Sequence, residues 1–252
     1  MKSFARIAAV AAVAFVSATS QAAAQALPSA AEVVAKHITA IGGKDAISKI
    51  TSMVQKGTVE IPTAGLSATV EASYAAPNKS VNKLTIAGVG EILNGFDGTV
   101  GWSTNPMQGP RLAVAKELEQ MKDMADFRTA MLYPADQFTT METVGIVDFN
   151  DEKAYKVRFV RKSSGRESTE YFSVASGLQI GGEMVQESEM GKTPLTSKMS
   201  DYKQFGAIKV PTKTETMMGA NKMVMTVQDV TFNSVPANAF DLPAQVKALI
   251  KN

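Results

Sequence analysis

Between Lys198 and Pro243 the chain spells out one long β-hairpin. Residues 202–211 and 212–218 form the first limb, Gly219-Ala220-Asn221 the turn, and residues 223–232 the return. Gly219 and Asn221 tolerate the positive φ that such a turn requires. Side chains in a strand alternate with period two. Met223, Met225, Val227 and Asp229 therefore share one face, and Val224, Thr226, Gln228, Val230 and Phe232 the other. Neither face is polar throughout, so apolar neighbours are expected on both sides.

The same alternation recurs along the chain. Leu66, Ala68, Val70, Ala72 and Tyr74 alternate with Ser67, Thr69, Glu71 and Ser73, a half-buried strand. Val59 and Ile61 belong to the strand before it, and Leu84 and Ile86 to the strand after it. Asp97-Gly98 sits between residues 91–96 and 99–103 as a tight hairpin signal, with Trp102, the sole tryptophan, at its end. In the second half, residues 138–149 and 154–161 flank a turn at 150–152. Tyr155, Val157 and Phe159 face one way, Lys156 and Arg158 the other. Turns at 163–165 and 175–177 separate further strands at 167–174 and 178–190. Short strands punctuated every ten residues or so predict an antiparallel meander.

Two stretches read as helix. In residues 27–50, Val33, Val34, His37, Ile38 and Ile41 form a stripe at helical spacing, Gly42-Gly43 interrupts it, and residues 45–50 make a short second helix. Residues 105–110 are expected to break the sheet. Residues 112–132 then form the longest helical segment. Leu112, Ala115, Leu118, Met121, Met124 and Ala125 are expected on its buried face. Lys116, Glu117, Glu119, Lys122, Asp123 and Asp126 are expected in water. Pro134 ends the segment, and residues 244–250 suggest a terminal helix.

The N-terminus has the layout of a secretory leader. Lys2 and Arg6 precede an uncharged apolar run over residues 7–18, and Ala22-Ala23-Ala24 or Ala24-Gln25-Ala26 offers a small-residue cleavage site. The run is shorter than the roughly 20 residues that span a bilayer. The expected division is a signal peptide at 1–26 and one domain at 27–252. Loss of Lys2 and Arg6 takes the 26 basic residues to 24 against 24 acidic ones, a neutral mature chain. Such a chain lacks the concentrated basic face that nucleic acid needs. With no cysteine there is neither a disulfide nor a lipid-attachment thiol.

Catalytic signatures are missing. His37 is the single histidine, so nucleophile–base pairing and His/Cys zinc sites have no partners to draw on. Gly88-Val89-Gly90 lacks the third glycine of a dinucleotide loop. Glu187 and Glu189 are two apart on a strand, the spacing of a solvated face. No cofactor is implied. The unusual component is methionine, 14 in all, gathered at Met107, Met121, Met124, Met131 and Met141 and at Met217, Met218, Met223 and Met225. Flexible, polarisable methionine suits surfaces that adapt to varied apolar ligands, and it equally fills irregular cores.

Several structural residues together resemble one family. Tyr202, Gly206 and Pro211, then Val235-Pro236, Phe240 and Pro243, are similar to the close of LolA-like proteins, the relatives of periplasmic lipoprotein-sorting carriers. Residues 97–102 with Asn105-Pro106 are similar to that family's central hairpin, and residues 40–43 and 50–57 fit its start. The resemblance implies a mainly β (α+β) fold. A strongly curved antiparallel sheet would form an unclosed barrel, with the helices of 27–50 and 112–132 covering its concave face. It implies an exported, periplasmic, monomeric non-enzyme that binds or transfers a lipid or the acyl chain of a lipoprotein in an apolar cavity. Leu84, Ile86, Trp102, Leu118, Met121, Met124, Tyr155, Phe159, Met223 and Met225 are the expected lining residues. The alternative is a non-catalytic envelope module that binds a protein partner.

Overall fold

A computed structural model describes residues 26–188 and 191–250. Residues 1–25, on which nearly all of the leader expected at 1–26 falls, lie outside the described residues, as do Glu189 of the carboxylate pair and Met190. Helix α1 (Ala30–Ala40) begins at Ser29, whose hydroxyl accepts from the Glu32 N–H while the Glu32 carboxylate accepts from Ser29, a reciprocal cap. Gly42 and Gly43, both at positive φ, redirect the chain into α2 (Lys44–Ser48). Strands β1 (Ser52–Ile61), β2 (Leu66–Ala75), β3 (Lys79–Ile86), β4 (Gly90–Phe96), β5 (Gly101–Asn105) and β6 (Gly109–Leu112) follow as a meander. Helices α3 (Ala115–Ala125) and α4 (Phe127–Leu132) lead to a second meander. Its strands are β7 (Phe138–Phe149), β8 (Glu152–Arg161), β9 (Glu167–Ser173), β10 (Gln179–Ser188), β11 (Gly191–Phe205), β12 (Ile208–Met218) and β13 (Asn221–Phe232). The chain ends in α5 (Ala244–Ile250).

All thirteen strands belong to one antiparallel sheet in the order β6-β5-β4-β3-β2-β1-β13-β12-β11-β10-β9-β8-β7. Pairing of β1 with β13 joins the two meanders, and β6 and β7 remain as the two edges, so the barrel is unclosed. Its curvature follows from one helix. α3 touches both β4 and β10, which lie seven strands apart. A flat sheet would separate them by about 33 Å at the usual strand spacing, twice the roughly 16 Å length of an eleven-residue helix. The sheet must therefore curl around α3.

Register defines which side chains face the helices. Successive partners carry one row across the sheet, from Val157 through Glu170, Gly182, Ser197 and Thr216 to Met223. Leu84 and Ile86 join the same inner face through Val70 and Ala68. Two cores fill it. Ile41, Ile47, Ile50 and Phe127 pack on Met53, Ile208, Val210, Val227 and Val230. Ala30, Val33 and Val34 of α1 pack with Tyr133 on Val157, Phe159 and Phe172. Each Val, Ile, Met or Phe among them contributes about 1.5–3 kcal/mol on burial.

Three sequence expectations change here. Residues 106–108 do not end the sheet; they turn β5 into β6, so Leu112 pairs with Trp102 as a strand residue. The helix expected over 112–132 begins at Ala115 and breaks at Asp126, whose side chain accepts from the Thr129 N–H and so caps a separate α4. Finally, β13 does not alternate evenly. Lys56 pairs with Asp229 and Gly57 with Val227, leaving Gln228 as an extra residue. That bulge puts Val230 in the same core as Val227, where strict alternation assigns them to opposite faces.

Candidate ligand cavity

The chain from α3 to Tyr133 and the inner face of β8–β11 enclose a cavity of about 310 Å³. Methionines and aromatics supply part of its wall: Met124, Phe138, Met184 and Met199. Ala130 and the Tyr133 ring add to this mostly apolar wall, and a set of charged and polar side chains interrupts it. Asp123, Arg161, Arg166, Glu170 and Gln179 all border it.

Asp123 was expected in water and is buried. Ser163 Oγ donates to its Oδ1 at 2.8 Å, Ser164 Oγ donates to Oδ2 at 2.6 Å, and Arg166 Nε lies 3.4 Å away. This ties α3 to the turn between β8 and β9. Glu170 accepts from Gln179 Nε2, and the Tyr133 hydroxyl lies 3.5 Å from its Oε2. Desolvation pushes the Glu170 carboxyl up to about 7, against the pull of Arg166 and Arg161. Tyr133 stands at φ 45°, a strained conformation for a bulky residue. It is held there by ring contacts with Phe138, Phe159 and Phe172, and desolvation raises its hydroxyl well above the usual range. Beneath α1, His37 places Nδ1 3.2 Å from the Gly177 carbonyl, and burial lowers it to about 4. It packs edge-on against Phe172 and is a neutral core residue.

The expected lining residues fall into four groups. Leu84, Ile86, Met223 and Met225 are half-buried on the inner face. Leu118 and Met121 press on β5 at Gly101, where an added Cβ would lie 2.9 Å from Leu118 Cδ1 and 3.1 Å from Met121 Sδ. Tyr155 and Phe159 share the α1 core, and Phe159 is closed off completely. The other two lie apart from these. Met124 is 63% exposed and only rims the cavity. From Leu118 a step of seven returns to the buried Ala125, whereas a step of six turns Met124 about 120° aside. Trp102 is 1% exposed but faces outward. Its neighbour Gly101 meets α3, and alternation sends Trp102 to the opposite face with Gly95 and Leu112. There α5 packs on β6, and Gln245 shares a cleft with Leu93 and Thr104.

Arg161 and Glu170 carry a sequence signal that the pattern reading passed over. Arg161 is the next member of the apolar series Tyr155, Val157, Phe159, and Glu170 stands two before the buried Phe172 on the same face. A charge in register with an apolar face is the informative exception.

No protein-family model matches the sequence, and no curated protein matches it. Solved structures do match in shape. A LolA superfamily protein from Nitrosomonas europaea superimposes with a TM-score of 0.58 at 12% identity, over 86% of this chain and 99% of that one. The chain has a LolA-like fold. A DUF1329 family protein from Desulfovibrio piger matches with a TM-score of 0.58 at 10% identity, over 86% of this chain and 97% of its own. A putative outer membrane lipoprotein-sorting protein domain from Vibrio parahaemolyticus matches with a TM-score of 0.54 at 11% identity, over 88% and 98%. Among the described residues no helix of this LolA-like chain is long and apolar enough to cross a membrane.

Proposed function

We propose that this protein is an exported, non-catalytic carrier that shelters a lipid or the acyl chain of a lipoprotein between α3 and the inner face of its sheet. The observation that carries the reading is the placement of α3. It bridges two distant parts of a curled sheet while Leu84, Ile86, Met223 and Met225 on the same inner face are only half-buried. An acyl chain would complete their burial at about 0.8 kcal/mol per methylene. The leader-like residues 1–26 supply the export that a periplasmic role requires, and residues 27–252 act as one domain. The likeness to a lipoprotein-sorting protein domain supports the ligand class.

A neutral fluorescent acyl ester tests this. Wild-type protein should bind it. Met121→Asp and Met225→Asp should each weaken binding at least about tenfold, because a charge placed against a buried alkyl chain costs several times RT. Glu119→Ala, an exposed change on α3, should leave binding unaltered. Binding of no acyl probe by folded wild-type protein would contradict the carrier reading and favour the partner-binding envelope module.

A further inference from the structure

We propose that the cavity beneath α3 and α4 is a head-group subsite for a monoanionic amphiphile, with the Arg161 guanidinium as its anion anchor. The inference rests on the carrier reading and names the ligand's polar end. The decisive contrast is among arginines. Arg111 is bidentate to Glu117, Arg128 donates to the Ile50 carbonyl, Arg158 is bidentate to Glu167, and Arg166 pairs with Asp123. Among the described residues, Arg161 is the arginine whose side chain has neither a hydrogen bond nor an ion pair. Its guanidinium sits 5.2 Å from the Phe138 ring centroid, bordering the cavity and half-buried. A guanidinium offers five N–H donors in a fork that matches a carboxylate or phosphate edge. Leaving them unmet in a partly desolvated site is costly.

The surrounding charges set the ligand's charge. Asp123 and Arg166 offset each other, and Asp126 is committed to capping α4. Glu183 also borders the cavity, but its carboxyl is engaged by Tyr171 on the other face of the sheet; Glu170, pushed up to about 7 by desolvation, is the carboxyl on the inner wall. With Glu170 protonated, Arg161 feels only the through-space pull of Asp123 and Asp126, neither of which hydrogen-bonds it, and one anionic group can dock on its free fork. Gln179 and the Tyr133 hydroxyl add neutral hydrogen-bonding groups beside Glu170. At about 310 Å³ the cavity holds the volume of roughly ten waters. That is room for a head and the first methylenes, not a whole lipid. The alkyl chain has an exit along Met199, Thr214 and Met225, which are successive partners on the inner face.

Displacement of the neutral acyl ester by competitors of one chain length tests the assignment. Palmitate, hexadecanol and hexadecylamine vary only the head, and a palmitoyl lysophosphatidylglycerol offers a monoanionic phosphodiester. Wild-type protein should prefer the anions over hexadecanol by about ten- to a hundredfold, the scale of charge-assisted hydrogen bonds, and should disfavour the amine. Arg161→Gln should erase that preference while leaving hexadecanol affinity and the melting temperature near wild type. Arg158→Gln, an outward ion-paired arginine, should keep it. Tighter binding of palmitate than of the phosphodiester identifies a carboxylate source, and the reverse order a phospholipid; either supports the subsite. Equal affinity for palmitate and hexadecanol, or a preference that survives Arg161→Gln, overturns the subsite and leaves the carrier reading standing. Failure of every competitor and of the ester itself overturns the carrier reading.

Discussion

Glu170 and His37 are two buried titrating groups whose effects on stability run in opposite directions. The Glu170 carboxyl rises from 4.5 unfolded to about 7 folded. Between those values the folded chain holds a proton that the unfolded chain has lost, so stability falls as pH rises. His37 drops from 6.5 to about 4, so the unfolded chain holds the extra proton and stability falls as pH is lowered. Between pH 4.5 and 6.5 the two slopes cancel. Glu170→Gln removes one of them. Relative to wild type, the variant's unfolding free energy should gain a slope of about 1.4 kcal/mol per pH unit across that window. Urea melts at pH 4.5, 5.5 and 6.5 read this directly, and parallel pH profiles for the two proteins would show that Glu170 is not desolvated. At this scale the sequence was legible where a residue obeyed its pattern. Tyr155, Val157 and Phe159 were placed inward by alternation and are inward. Arg161 obeys the same alternation, but its charge suggests solvent, and only the helices above it make it a cavity residue.

Elements were legible in type and less so in their ends and coverings. The hairpins at 97–98 and 219–221 form where turn chemistry placed them; Asp97 Oδ1 accepts from the N–H groups of Thr99 and Val100, 2.8 and 2.7 Å away. The division of α3 from α4 was hidden because Asp126 reads as an ordinary exposed helix residue until its side chain is seen capping Thr129. The cover over Trp102 was hidden for a different reason. Alternation gives a strand two faces but does not say which element lies on each, and the C-terminal helix proves to be the one on the outer side. A chain ended at Pro243 should therefore fold with its inner face intact yet expose Trp102. Its tryptophan emission should move to longer wavelength and become quenchable by acrylamide, with a stability loss of about 1.5–3 kcal/mol from the buried Val246 alone. Emission unchanged in the folded, shortened chain would place the indole under α3 instead.

Over the whole molecule, the LolA-like fold was legible because its determinants are local and repeated: thirteen strands, tight turns between neighbours, and two helical stretches at fixed places in the order. The character of the interior was not. A row that begins at Val157 and ends at Met223 passes through Glu170, Ser197 and Thr216, and Ser197 Oγ lies 2.9 Å from Thr216 Oγ1. Each of these belongs to a different strand, so no window of sequence contains the polar path. An inner surface with apolar patches and a polar track suits a ligand that has both a tail and a head. The most direct test is mass spectrometry of lipid extracted from the protein after export into a bacterial envelope and purification without detergent. The account predicts about one acyl-bearing, singly anionic molecule per chain, lost when Met225→Asp is introduced into a protein that still folds. Purified protein that carries no lipid, and takes none up from vesicles of the same envelope, would contradict it.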